Sequence, residues 1–173
     1  MKTKTQKIAL TGVLAAQALA LAFLENLLPA LPFLPPGVKL GLSNIVTMFT
    51  AGAVGFSPAF CVTLIKSLFV FLTRGATAFF MSLGGGLLST IAMCLMIKFT
   101  KEKSGYVGIA VVSSICHNFG QLCVSVIITK TSAMFYYAPV LLISAVVMGF
   151  ITGTVLKVTM PLLNKQSKYF NKI

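Results

Sequence analysis

The residues of this chain that could do chemistry are few, and most lie inside long apolar runs. His117, Asn118 and Gln121 fall within the run from Tyr106 to Ile128, with Ser113, Ser114 and Ser125 three or four residues from one of them. On a helix this spacing draws one polar stripe, which can either orient the polar part of a ligand or form a closed network between helices. Lys66 sits inside an earlier apolar run, Arg74 closes it, and Lys39 and Asn44 flank the start of the run before that. Cations at such depth suit a carboxylate or a phosphate. Only one acid, Glu25, falls near them in the expected bundle, and uncompensated charge in a low-dielectric site is costly. An anionic small molecule held by Lys39, Asn44, Lys66, Arg74, His117, Asn118 and Gln121 would supply the missing charge. The plainer alternative is that Lys66 snorkels and Arg74 anchors at the interface.

Other chemistries find no residues to carry them. The chain has no Asp and only two acids, Glu25 and Glu102, so no carboxylate cluster is available for a metal or for acid–base work. Cys61, Cys94, Cys116 and Cys123 form no CxxC pair and read as small buried hydrophobes. No cofactor and no metal are expected. A phosphate loop of the GxxxxGK[ST] type is missing, so ATP hydrolysis by that route is not available to this chain alone.

The elements that must position these groups are membrane helices. Of 173 residues, 57% are hydrophobic and 9% charged, with a mean hydropathy of +0.97. A soluble domain carries roughly 25% charged residues, so lipid must be part of this chain's solvent. The net charge of +12 does not point to nucleic acid, because the basic residues sit at the ends and in short breaks rather than along one face.

Six apolar segments follow: about Ile8–Leu28, Leu40–Gly55, Pro58–Thr73, Ala78–Ile97, Tyr106–Ile128 and Phe135–Val158. The second and third are short for a bilayer that takes roughly 20 helical residues to cross. The first has a basic start and is long for a signal peptide, and five more follow, so it reads as a retained anchor. With both termini cytoplasmic, ten Lys fall on the inner side (Lys2, Lys4, Lys7, Lys98, Lys101, Lys103, Lys157, Lys165, Lys168, Lys172). Lys39, Arg74 and Lys130 fall on the outer side, the bias expected of an inserted protein. The stretch Pro29–Gly37 holds four of the chain's prolines and cannot be helix. The expectation is an all-α integral membrane protein of six transmembrane helices, one domain over 1–173, with its polar groups gathered in the outer half and the inner half nearly all apolar.

Gly12, Ala16 and Ala20 repeat every fourth residue of the first segment, and Ser82, Gly85, Gly86, Ser89 and Thr90 form a second small-residue stripe. Small residues let helices approach closely, either within the chain or as a docking face for a membrane partner.

Several blocks together resemble a known family. They are Pro36–Ile45 (PGVKLGLSNI), Lys66, the Arg74–Gly75 pair, Ser82–Ser89 (SLGGGLLS) and His117–Gln121 (HNFGQ). Over about residues 5 to 160 the chain resembles the Gx transporter family, also called heptaprenyl diphosphate synthase component I. More distantly it is similar to the substrate-binding S components of energy-coupling factor transporters.

The resemblance implies a six-helix, S-component-like bundle in a bacterial plasma membrane, with a ligand site near the outer face. It also implies docking of the Gly12, Ala16 and Ala20 face on an energy-coupling membrane subunit with its ATPases. A vitamin-, quinone- or isoprenoid-related ligand would fit. The synthase name does not suit the residues, because prenyl elongation needs Asp-rich motifs to hold magnesium on a diphosphate. The alternative role is a non-catalytic membrane accessory in prenyl-diphosphate or quinone biosynthesis, or in flavin-based extracellular electron transfer.

Overall fold

In the computed structural model, which describes residues 4–27, 42–100 and 105–170, the chain is helical and the described residues include no strand. The helices are α1 (Lys4–Leu27), α2 (Ser43–Ala53), α3 (Phe56–Thr100), α4 (Gly105–Thr129) and α5 (Ala138–Phe170), with a 3-10 turn at Ser132–Tyr137 before α5. Lys39 and the proline-rich stretch lie outside the described residues.

The 45 residues of α3 are not one rod. Gly75 interrupts them with φ 83° and ψ −177°, a left-handed region that glycine enters without steric cost. A Cβ there would meet nothing within 4 Å, so the backbone conformation, not crowding, calls for glycine. Across the break, Thr63 and Thr90 share a hydroxyl hydrogen bond of 2.9 Å, and Ser67 and Ser82 one of 3.4 Å. A straight helix would hold the first pair about 40 Å apart, at 1.5 Å per residue. The chain therefore reverses at Gly75, and α3 is an antiparallel hairpin of two limbs. These limbs match the third and fourth expected segments, so the described chain has six helical stretches.

The helix ends have local causes. Gly55, at φ 121°, turns the chain between α2 and α3, and the amides of Val54 and Gly55 both donate to the Thr50 carbonyl. Lys130 takes the left-handed conformation (φ 52°) just beyond α4, the usual way a helix stops. The Thr131 hydroxyl then accepts from the amide of Ala133 to start the 3-10 turn. This turn takes up Phe135–Tyr137, the start of the expected sixth segment.

Glycines set the packing of the last three helical stretches. A Cβ on Gly120 would lie 2.8 Å from the Gly84 carbonyl oxygen, and one on Gly149 would lie 2.5 Å from Val111 Cα. Gly153 is equally tight against Val107. Backbone meets backbone at these points, as small residues allow in membrane bundles.

Four helical stretches are long and apolar enough to cross a membrane: Lys4–Leu27, Phe56–Phe99 (which holds both limbs of α3), Gly105–Thr129 and Ser132–Thr159. Large apolar side chains such as Leu72, Ile127 and Ile8 are exposed on their outer faces, where lipid would cover them. With 11 residues, or roughly 16 Å of helix, α2 is too short to cross and packs inside, touching α1, α3 and α5. The chain is a multi-pass membrane protein.

Candidate functional site

The cleft lies at the end of the bundle marked by the Gly75 reversal. About 440 Å³ of space lies between its walls, open solvent at the mouth included. Five of the six helical stretches contribute to it: Ala22 and Glu25 from α1, Ser43 and Asn44 from α2, then Lys66, Val70 and Arg74 from the first limb of α3. The second limb adds Ala78, Met81 and Ser82, and α4 adds His117 and Gln121. Spacings of three and four set the residues from α1, the first limb of α3 and α4 on single helical faces, while the adjacent Ser43 and Asn44 reach the cleft from the first turn of α2.

Lys66 is 4% exposed, and its Nζ donates to Asn44 Oδ1 at 2.6 Å. Glu25 is also buried, and its Oε1 accepts from the Leu42 amide at 3.1 Å, tying the end of α1 to the start of α2. Arg74 sits just before the reversal and lines the cleft mouth. The described lining thus holds two cations, Lys66 and Arg74, and one carboxylate, Glu25.

His117 and Gln121 are each 7% exposed, and Gln121 Nε2 lies 3.1 Å from His117 Nε2. Gly85 makes room for this pair: a Cβ there would meet the His117 carbonyl oxygen and the Gln121 side chain at 2.7 Å. The Gly85 backbone approaches the imidazole, yet Nδ1 forms no hydrogen bond of normal geometry, and neither does Gln121 Oε1.

Of the seven residues expected to hold a ligand, five share this cleft: Asn44, Lys66, Arg74, His117 and Gln121. Lys39 lies outside the described residues. The structure corrects the expected place of Asn118. It turns toward α5 and donates to the Leu141 carbonyl at 2.9 Å and to Ser144 Oγ at 3.3 Å, because one residue beyond His117 is about 100° further round the helix. Glu25, Ser43 and Ser82 line the cleft with them. The sequence does not single these three out as site residues, nor the walls Ala22, Val70, Ala78 and Met81. Ala22, Val70 and Ala78 do stand three or four residues from a polar member, a spacing the sequence offers as a signal, whereas Met81 stands beside Ser82.

One further expectation is qualified and another changes. The half of the bundle away from the cleft is apolar but for small hydroxyls, with Thr50, Thr63, Ser89, Thr90, Ser113 and Thr152 buried within the helices. The cysteines are free, but Cys61 is exposed and the other three are only partly buried.

Gly12, Ala16 and Ala20 are exposed on α1, while Leu14, Ala15, Ala18, Ala22 and Glu25 form its buried face. The small-residue stripe is therefore not used for packing within the described chain.

A family model described as heptaprenyl diphosphate synthase component I, the Gx transporter family, matches residues 14–159. The chain belongs to that family. Among solved structures, the Gx-family chain is similar to the S component of a bacterial ECF transporter. The TM-score is 0.65 at 18% identity, and the match covers 99% of this chain and 100% of the other. At that identity the likeness establishes a shared fold. No curated protein matches the chain.

Proposed function

We propose that this Gx-family protein is a substrate-capture subunit of the S-component type, binding a small anionic ligand in the cleft and passing it inward. The observation that carries the reading is the charge of the cleft: Lys66 and Arg74 face a single carboxylate, Glu25. One carboxylate cannot neutralise two cations: Arg74 is exposed at the mouth, but Lys66 is buried, where any charge left over is costly. A ligand carboxylate or phosphate would balance it. Asn44, His117 and Gln121 would orient the polar remainder, and Ala22, Val70, Ala78 and Met81 would wall an apolar part.

The six helical stretches support six segments in a bacterial plasma membrane, with α2 set within the bundle. Lys4 and Lys7 start α1, Lys98 ends the second limb of α3, and Lys157 lies late in α5. All of these are at the end away from Gly75. Retention of basic residues on the cytoplasmic side would then open the cleft outward and keep both termini inside. Passage inward needs an energy source that the sequence lacks, which calls for an energy-coupling membrane subunit and ATPases docked on Gly12, Ala16 and Ala20.

A second reading is favoured by the family's name: a membrane accessory to prenyl-diphosphate or quinone biosynthesis, or to flavin-based electron transfer. The chain would be non-catalytic in that role, since it has no Asp with which to hold magnesium on a diphosphate. Native mass spectrometry of the protein gently extracted from its host membrane separates the two. A coupling subunit with ATPases, or a small anion lost in Lys66→Met, supports capture. Prenyl synthase or redox subunits with no such anion would move the assignment to the accessory role.

A further inference from the structure

The deep end of the cleft carries a more specific demand than charge. Gln121 Nε2 and His117 Nε2 are 3.1 Å apart, and a neutral imidazole presents one donor nitrogen and one acceptor nitrogen. If the Gln121 amide donates to His117 Nε2, the imidazole proton is on Nδ1. Nδ1–H is then a donor without a protein partner, and Gln121 Oε1 an acceptor without one. If the amide is turned over, His117 Nε2–H donates to Oε1. The imidazole Nδ1 is then the unmet acceptor, and the Gln121 NH2 group the unmet donor. Both arrangements leave one donor and one acceptor, on side chains that line the cleft and are 7% exposed.

The Gly85 backbone approaches the imidazole but makes no hydrogen bond of normal geometry with Nδ1. Ser82 Oγ on the facing limb lies 3.4 Å from Ser67 Oγ, and Asn118 is engaged with α5. A buried polar group left unpaired is costly, so a ligand that meets both groups gains over one that meets a single group.

We infer that the ligand's inner end bears an adjacent hydrogen-bond donor and acceptor, as in the N–H and C=O of a lactam, imide or cyclic urea, while its anionic group faces Lys66 and Arg74. This rests on the anion-capture reading and narrows it. A quinone or a prenyl diphosphate offers acceptors alone at neutral pH and would leave an acceptor of the His117–Gln121 pair unmet. An anionic heterocycle with ring N–H beside carbonyl meets both.

The test uses two probes on the full-length protein in lipid nanodiscs, by calorimetric titration. One is 6-carboxyuracil, an anion with N–H and C=O edges; the other is its 1,3-dimethyl derivative, with the same charge and carbonyls but no ring donor. The expected result is tighter binding of the unmethylated probe by roughly tenfold or more, as for one unpaired buried group. That preference should vanish in Gln121→Leu, and both probes should weaken alike in Lys66→Met. Equal binding of the two probes by the unmodified protein overturns the inference, and it is also the outcome if water satisfies the pair. Should Lys66→Met still weaken both, the anion reading stands without it. A preference that survives Gln121→Leu also overturns the inference. Binding indifferent to Lys66→Met overturns the anion reading instead, and no binding of either probe at millimolar concentration counts against both. The unmodified protein alone decides between the probes, so a variant that fails to fold leaves the test intact.

Discussion

The cleft and the seam joining the second limb of α3, α4 and α5 both bury polar groups among apolar helices, but they treat them in opposite ways. In the seam, the Ser113 hydroxyl donates to the Ser89 carbonyl, Ser89 to the Gly86 carbonyl, and Asn118 to the Leu141 carbonyl. Thr63 and Thr90 complete the pattern across the α3 hairpin. These groups are short and partnered close to home, and glycines bring the backbones together around them. In the cleft, longer side chains converge from five helical stretches and set two cations against one carboxylate, beside two unpartnered atoms on His117 and Gln121. Buried polarity therefore does not by itself mark a site. What marks it is the demand left after local partners are counted.

The sharpest way to break this contrast is to remove the surplus charge. Lys66→Met leaves Glu25 facing Arg74 in a balanced cleft but takes the donor from Asn44 Oδ1, so thermal stability in detergent should fall by no more than about 1–3 kcal/mol. Binding of an anionic probe such as 6-carboxyuracil should fall by about 2 kcal/mol or more, roughly thirtyfold, as when one partner of a buried charge contact is truncated. Calorimetry beside a melting curve reads both. A large loss of stability with binding intact would make Lys66 a structural residue like those of the seam.

The second effect reverses the first. Gly149→Val puts a side chain where a Cβ already lies 2.5 Å from Val111 Cα. Backbone cannot yield there as a flexible side chain would, so overpacking should cost about 1–3 kcal/mol, seen as a lowered melting temperature. Because α5 contributes no residue to the described cleft, the folded fraction should bind the probe with unchanged affinity. A matching loss of affinity would show that the two regions are coupled.

These two residues also mark what the sequence could and could not reveal. Helical stretches are legible because apolar runs and charged breaks follow directly from the cost of leaving charge in lipid. The reversal was legible as a break near Arg74 and Gly75, though not that a single glycine makes it. The His117 and Gln121 pair follows from i, i+4 spacing. Asn118 was misplaced because a polar stripe can be wide enough to meet two neighbours, and one sequence does not say which neighbour lies where. The lipid-facing and core-facing sides of α1 are both apolar, so hydropathy could not tell Leu14 from Val13. Only the packing does that, burying Leu14 and exposing Val13.

Asn118 supplies a smaller test of the same boundary. Asn118→Leu removes donors to the Leu141 carbonyl and Ser144 Oγ. That carbonyl still accepts from the Ser144 hydroxyl at 3.0 Å, so it is not orphaned, and the loss should be about 0.5–1 kcal/mol. Probe affinity should not change. A drop of tenfold or more in affinity at unchanged stability would return Asn118 to the cleft.

The smallest effect on the fold should come from the α1 stripe, and it is the most informative about function. Gly12 has nothing within 4 Å of where a Cβ would stand, and Ala16 and Ala20 are exposed with it. The buried residues of α1 lie on the opposite side, roughly 150° away at 100° per residue. The double variant Gly12→Leu, Ala16→Leu should therefore leave stability within about 0.5 kcal/mol of the parent and probe binding unchanged. If the stripe serves to let a partner helix approach closely, the same variant should no longer co-purify with a coupling subunit from host membranes, while the parent does. Unimpaired co-purification would mean that the stripe faces lipid, and docking would have to be sought on another face. A loss of stability would mean instead that α1 packs more tightly than its exposed residues indicate, and the contrast between partnered seam and demanding cleft would need a third, structural surface beside them.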